Sequence, residues 1–215
     1  MTLSEMMAPA RRGFLGGVGA LTGILMVRRA RGEASLAGEQ PTALLAEEMD
    51  TLVAVLARLL PGDSSSGGAV EARAHVYIDR ALGGAYAKDL PAYRAGLAAI
   101  AVLAKRAGAA AARPGALPPA ALDAILTRLD EGAVAEPLGT ATLAEGGKHF
   151  FRLLHRHMLE GTFGDPVHGG NYEFIGWNLI GYRGMQFNYS EAEQEIDGAK
   201  PAGNRTIGSF GRSAV

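Results

Sequence analysis

An all-α fold is what this 215-residue chain predicts. Apolar residues recur three and four apart over successive stretches, Pro and Gly clusters cut those stretches at helical lengths, and period-two alternation of apolar with polar residues is scarce. The expected architecture is a compact helical domain followed by an irregular, partly extended C-terminal arm.

The first element is a leader rather than part of the domain. Arg11-Arg12-Gly13-Phe14-Leu15 heads an apolar run from Gly16 to Val27 that is too short to span a bilayer comfortably. A tandem arginine before such a run reads as a twin-arginine export signal, an address for a receptor that passes already folded cargo. Arg11, Arg12, Phe14 and Leu15 carry it, although Ala10 and Gly16 stand where the usual pattern has Ser or Thr and Lys. Arg28, Arg29 and Arg31 close the run, and small-x-small steps at Gly32-Glu33-Ala34 and Ser35-Leu36-Ala37 set the signal region at 1–37. The expected location is the periplasm, with membrane association supplied by an uncleaved signal or by a larger complex.

Residues 38–184 are expected to form the helical domain. From Thr42 to Leu60, Leu45, Met49, Leu52, Val53, Leu56 and Leu59 repeat at helical spacing until Pro61-Gly62-Asp63 stops them. A polar loop, Ser64 to Gly68, leads to a second helix over Ala69–Leu82, with Val70, Ala74, Tyr77, Ile78 and Leu82 on one face. The third runs from about Lys88 to Gly108, with Tyr93, Leu97, Ile100, Ala101 and Ala104 inward. Pro118 or Pro119 opens a fourth, since a first-turn proline gives up a donor that has no partner anyway, and Leu122, Ile125, Leu126 and Leu129 form its stripe. Thr142 and Glu145 have capping-box spacing and predict a fifth helix through Glu160, with Phe150, Phe151, Leu154 and Met158 inward.

The last third changes character. Gly161 to Gly170 holds four glycines and a proline, which predicts a sharp turn bent at Asp165-Pro166. Asn171 then caps a segment carrying Tyr172, Phe174, Ile175, Trp177, Leu179, Ile180 and Tyr182. It is apolar nearly all round, so it belongs in the core or beneath a partner. Residues 185–215 form the arm, either partner-binding or poorly ordered. Trp177, Tyr182, Met185, Phe187 and Tyr189 are the expected partner interface, because aromatic and Met side chains concentrate at interface centres.

Composition narrows the chemistry. Removing the first 34 residues leaves 16 basic and 20 acidic side chains, a formal balance of −4, and no basic block that would hold nucleic acid. Cysteine is absent, so thiolate-ligated clusters and c-type haem attachment are impossible within this chain. The Gly-rich loop lacks nucleotide-binding spacing, no GxSxG elbow occurs, and His168 beside Asp165 has no nucleophile at hand. His155 and His157 face different ways, with His157 placed to favour the helix-end dipole. Glu71 and His75, and again Glu145 and His149, lie four apart and would share a helix face, which makes a helical metal- or ligand-binding enzyme the competing reading. Di-metal bundles use Glu and His three apart with two further carboxylates. The expectation is therefore no catalytic, cofactor-binding or metal-binding residue in this chain.

Taken together, "ARLLPGD" (57–63), "AVEARAHVYIDRAL" (69–82), "YRAGLAAI" (93–100) and "EGTFGDPVHGGNYEFIGWNLIGYRG" (160–184) resemble the gluconate 2-dehydrogenase subunit 3 family, over roughly residues 46–184. The resemblance implies a non-catalytic small subunit of an exported sugar, polyol or glycoside dehydrogenase. In such complexes a large flavoprotein of the glucose-methanol-choline type holds FAD and oxidises the substrate, and a haem-bearing c-type cytochrome subunit takes the electrons. The small subunit binds the flavoprotein and carries it through the twin-arginine export machinery.

Overall fold

The computed structural model describes residues 41–109, 113–134, 146–185, 191 and 205–207, all within one unit, Pro41–Val215. Six α-helices account for most of them: α1 (Ala46–Leu59), α2 (Ala74–Leu82), α3 (Leu90–Arg106), α4 (Pro119–Asp130), α5 (Gly146–Phe163) and α6 (Ile175–Ile180). Among the described residues the β contact is a single parallel bridge between Gly184 and Arg205, so the class is all-α as expected.

Helix boundaries follow local chemistry. At the start of α1, Glu48 reaches back to accept the Leu45 N–H at 2.8 Å, and Glu47 and Glu48 set negative charge against the helix's positive end. Pro91 sits in the first turn of α3 and Pro119 opens α4, as their missing donors allow. The second helix is shorter than the Ala69–Leu82 expectation. Arg73 adopts a left-handed φ of 56°, and the Ala72 carbonyl accepts a hydrogen bond from the Tyr172 N–H at 3.1 Å instead of feeding the helix ladder. A long-range bond thus overrides a local apolar pattern. In the fifth helix the difference runs the other way: it continues past Glu160 to Phe163, absorbing the first residues of the expected loop. The capping pair Thr142 and Glu145 lies outside the described residues.

Helix α5 is the hub, packing against α2, α3, α4 and α6. Its Phe150, Leu153, Leu154 and Met158 meet Leu52, Val55 and Leu56 of α1, Ile78 and Leu82 of α2, Leu97 and Ile100 of α3, and Leu126 and Leu129 of α4 in one apolar core. Each such side chain, removed from water, contributes roughly 1.5–3 kcal/mol. Asp79 ties the entry strand of chain to this core: its carboxylate accepts from Thr42 N, Thr42 Oγ1, Ala43 N and Leu44 N at 2.6–3.0 Å. Burial alone would raise its pKa, but these donors outweigh burial and hold it below the ordinary carboxylate value. On the outside, Arg58 of α1 grips Asp123 of α4 through two bonds of 2.7 and 2.8 Å. No described helix is long and apolar enough to cross a membrane.

Candidate partner-binding site

The corner between the end of α5 and the short helix α6 is built around Asn171. Its side chain is fully buried, with Oδ1 accepting from Gly176 N at 2.9 Å and Trp177 N at 3.3 Å while Nδ2 donates to the Gly164 carbonyl at 2.8 Å. One amide thereby supplies acceptors to the first turn of α6 and a donor to the turn that leaves α5, satisfying groups that helix ends leave open. The backbone is bent to do this: Asn171, Glu173 and Phe174 all have φ between 45° and 59°. Left-handed conformations of non-glycine residues carry a penalty of about 1–2 kcal/mol each, which the hydrogen bonds and packing around them must offset. At Gly176 only a hydrogen fits, because a Cβ there would collide with the Thr162 carbonyl oxygen.

Trp177 pins the corner. It is 3% exposed, its indole N–H donates to the Phe163 carbonyl at 2.7 Å, and its ring stacks on Phe174 and meets Tyr182 edge-on. Asp165 completes the frame, accepting from Val167 N at 3.0 Å and from Ile207 N at 2.8 Å. The paired backbone of Arg183 to Met185 with Arg205 holds the next stretch beside it.

On this frame the apolar side chains point outward to an unusual degree. Of the nine large hydrophobic residues exposed among the described residues, six belong here: Val167, Tyr172, Leu179, Ile180, Tyr182 and Ile207. Ile180 is 59% and Tyr182 46% exposed. Concentrations of this kind mark interaction surfaces. The Arg73 guanidinium lies 3.8 Å above the Tyr172 ring, and Arg183 and Arg205 are exposed alongside.

Of the interface residues named from sequence, Tyr182 lies on this surface, Met185 is half-buried, and Trp177 is an interior residue of this chain. Phe187 and Tyr189 lie outside the described residues, as do Arg11, Arg12, Phe14 and Leu15 of the export signal. Sequence reasoning placed Tyr172, Leu179 and Ile180 in the segment that must be covered but did not assign them to the interface. The signal was a segment apolar nearly all round from 172 to 182, which says that something must cover it without saying which side chains lie inward.

A second constellation, between α2, α3 and α5, is polar and buried. His157 stacks on Tyr86 with ring centres 4.3 Å apart, and its Nδ1 lies 3.0 Å from the Tyr93 hydroxyl. An Arg156 nitrogen stands 3.1 Å from His157 Nε2. Arginine only donates, so Nε2 accepts and Nδ1 carries the proton, which it donates to Tyr93 Oη. Burial, reinforced by Arg156 against the pull of Glu160 and Asp89, lowers the His157 pKa and keeps the ring neutral. Tyr77 and Tyr86 both donate to Glu160 Oε2, at 2.9 and 3.1 Å. This corrects the helix-end role for His157: α5 continues six residues beyond it, and the ring is a neutral interior bridge rather than a cation at a terminus.

The competing metal constellation does not assemble as its spacing implied. Glu71 precedes α2, separated from it by the left-handed Arg73, and its carboxylate accepts the Gly68 N–H at 2.8 Å, so Glu71 and His75 share no helix face. His75 is buried and pushed down to about 4 by that burial, with Arg73 adding to the shift and Asp79 opposing it. His149 is exposed, Glu145 lies outside the described residues, and among the described residues no group of three or more His, Asp or Glu could hold an ion.

A family model described as gluconate 2-dehydrogenase subunit 3 matches residues 46–184, the stretch that holds the six described helices, the polar constellation around His157 and the Asn171 corner as far as Gly184. No curated protein and no solved structure matches the chain.

Proposed function

This chain belongs to the gluconate 2-dehydrogenase subunit 3 family, and from that premise we propose that it is the non-catalytic small subunit of a periplasmic, FAD-dependent dehydrogenase acting on a sugar, polyol or glycoside. It binds a large flavoprotein of the glucose-methanol-choline type and escorts it through the twin-arginine machinery. FAD resides in that partner, and a c-type cytochrome subunit receives the electrons. The observation that carries the reading is the family match across the whole helical domain, supported by the apolar corner that the domain leaves uncovered.

The division of labour has a physical basis. A flavin is inserted in the cytoplasm, so the loaded enzyme must be exported folded, and one signal serves two chains that associate before export. Arg11 and Arg12 would be that signal. Replacing both with Lys in a strain that also makes the flavoprotein is expected to leave both chains and the dehydrogenase activity in the cytoplasmic fraction. Undiminished periplasmic activity would refute the escort role.

A further inference from the structure

We propose that the contact between α5 and the chain from Tyr86 to Tyr93 is an acid-sensitive latch, closed while the His157 imidazole is neutral and weakened by a proton at its Nε2. The inference concerns the helical domain itself and stands independently of the subunit reading above.

The geometry carries it. His157 is fully buried within α5 and both of its nitrogens are in use. Nδ1 meets the Tyr93 hydroxyl of α3, the Tyr86 ring from the connection between α2 and α3 stacks on the imidazole, and the Tyr93 ring lies nearly parallel to it with centres 5.8 Å apart. With Nδ1 already protonated, a second proton has one place to go, Nε2, and that nitrogen faces an Arg156 nitrogen at 3.1 Å. Two donors would then confront each other. Arg156 has an alternative partner, since its Nε lies 3.6 Å from Glu160 Oε1. Drawn further that way, it would compete for the carboxylate that Tyr77 of α2 and Tyr86 already use.

The titratable and charged groups facing the imidazole come from each element around it: Tyr77 from α2, Tyr86 and Asp89 from the connection, Tyr93 from α3, and Arg156 and Glu160 from α5 itself. Glu160, Asp89 and the face of Tyr86 favour an imidazolium, whereas burial and Arg156 oppose it. Burial is the largest influence, and the balance falls below the ordinary histidine value of 6.5. The Tyr77 and Tyr93 hydroxyls are held above the ordinary phenol value, by burial first, and stay neutral in acid. A histidine shifted in this direction lends its stability in full above its unfolded pKa and withdraws it as pH falls from there through the folded pKa. Each pH unit over which the buried ring stays neutral while the unfolded one is charged raises the unfolding constant about tenfold. His75 of α2, pushed down to about 4 by burial, adds a loss of the same sign, so substitution must separate the two.

The test is urea unfolding of the full-length chain, followed by circular dichroism at about pH 7.5 and about pH 5.5, a window that spans the unfolded histidine's titration while most carboxylates stay ionised. The ratio of unfolding constants between the two conditions is the readout. In His157→Gln that ratio is expected to be about fivefold or more below the wild-type ratio, because the variant keeps the His75 loss and drops the other. Arg156→Ala alters a largely exposed side chain and removes the opposing cation, so its ratio is expected to fall between those of the wild type and His157→Gln. Wild-type ratios in both variants overturn the latch. Nitrogen-15 spectra of the wild-type side chains give a second measure that needs no variant. A neutral His157 ring with its proton on Nδ1 at about pH 6 supports the latch, whereas an imidazolium at that pH, or a proton on Nε2 at about pH 7.5, overturns it.

Discussion

Replacing Asn171 with Gly should loosen the α5–α6 corner selectively. Glycine accepts the φ of 45° without strain, so the substitution isolates the side-chain amide from the backbone geometry. Lost are the bonds to Gly176 N, Trp177 N and the Gly164 carbonyl. Each leaves a largely buried backbone group short of a partner, at about 1–3 kcal/mol apiece. Water entering the vacated space would satisfy part of that, so the low end is appropriate and the total is about 3 kcal/mol. Asn171→Ala should be worse by about a further 1 kcal/mol, because alanine resists the left-handed conformation. Trp177 is the sole tryptophan of the chain, which makes its fluorescence a reporter for this corner, while circular dichroism reports the whole bundle. The expected result is a red-shifted emission at 25 °C and a midpoint of thermal unfolding lowered by roughly 6–12 °C, at roughly 2–4 °C per kcal/mol for a chain of this size. If the corner opens on its own, the fluorescence transition will precede the dichroism transition. Unshifted emission together with an unchanged midpoint would refute the structural role given to Asn171.

Two more outcomes follow from the core. Asp79, whose folded pKa lies below its unfolded value near ~3.9, contributes stability that is complete above about pH 4 and is lost as pH falls through the folded pKa. Asp79→Asn should therefore lower urea stability by about 2 kcal/mol at pH 7, and the gap from wild type should narrow by pH 3; a gap independent of pH would contradict the carboxylate's role. At Gly96 of α3 a Cβ would overlap the Phe150 ring, so Gly96→Ala should destabilise by about 1–3 kcal/mol, and Phe150→Leu added to it should recover part of the loss. An additive double mutant, measured by the same denaturation, would show that the two sites do not touch.

What could be read in the sequence was whatever local spacing governs. The opening proline of α4 and its buried stripe, Leu122, Ile125, Leu126 and Leu129, were legible, since a first-turn proline and an apolar period are properties of adjacent residues. The four-apart pair Glu71 and His75 misled because spacing implies a shared face only if the helix is continuous, and Arg73 interrupts it. His157 was similarly opaque: its neighbours in sequence are Arg156 and Met158, whereas its character comes from Tyr86 and Tyr93 on other elements.

For the candidate site, the segment 172–182 declared in its composition that it must be covered, and the chain alone established the all-α class and the family. Only the tertiary structure sorted that segment, turning Trp177 inward onto the Phe163 carbonyl and leaving Leu179, Ile180 and Tyr182 in solvent. The reason is physical: α6 is six residues long and lies against the end of α5, so among the described residues one face of it is packed and the other is left exposed. Apolar periodicity records how much surface a segment would bury; which part is buried depends on partners far away in sequence that arrive only when the chain is folded.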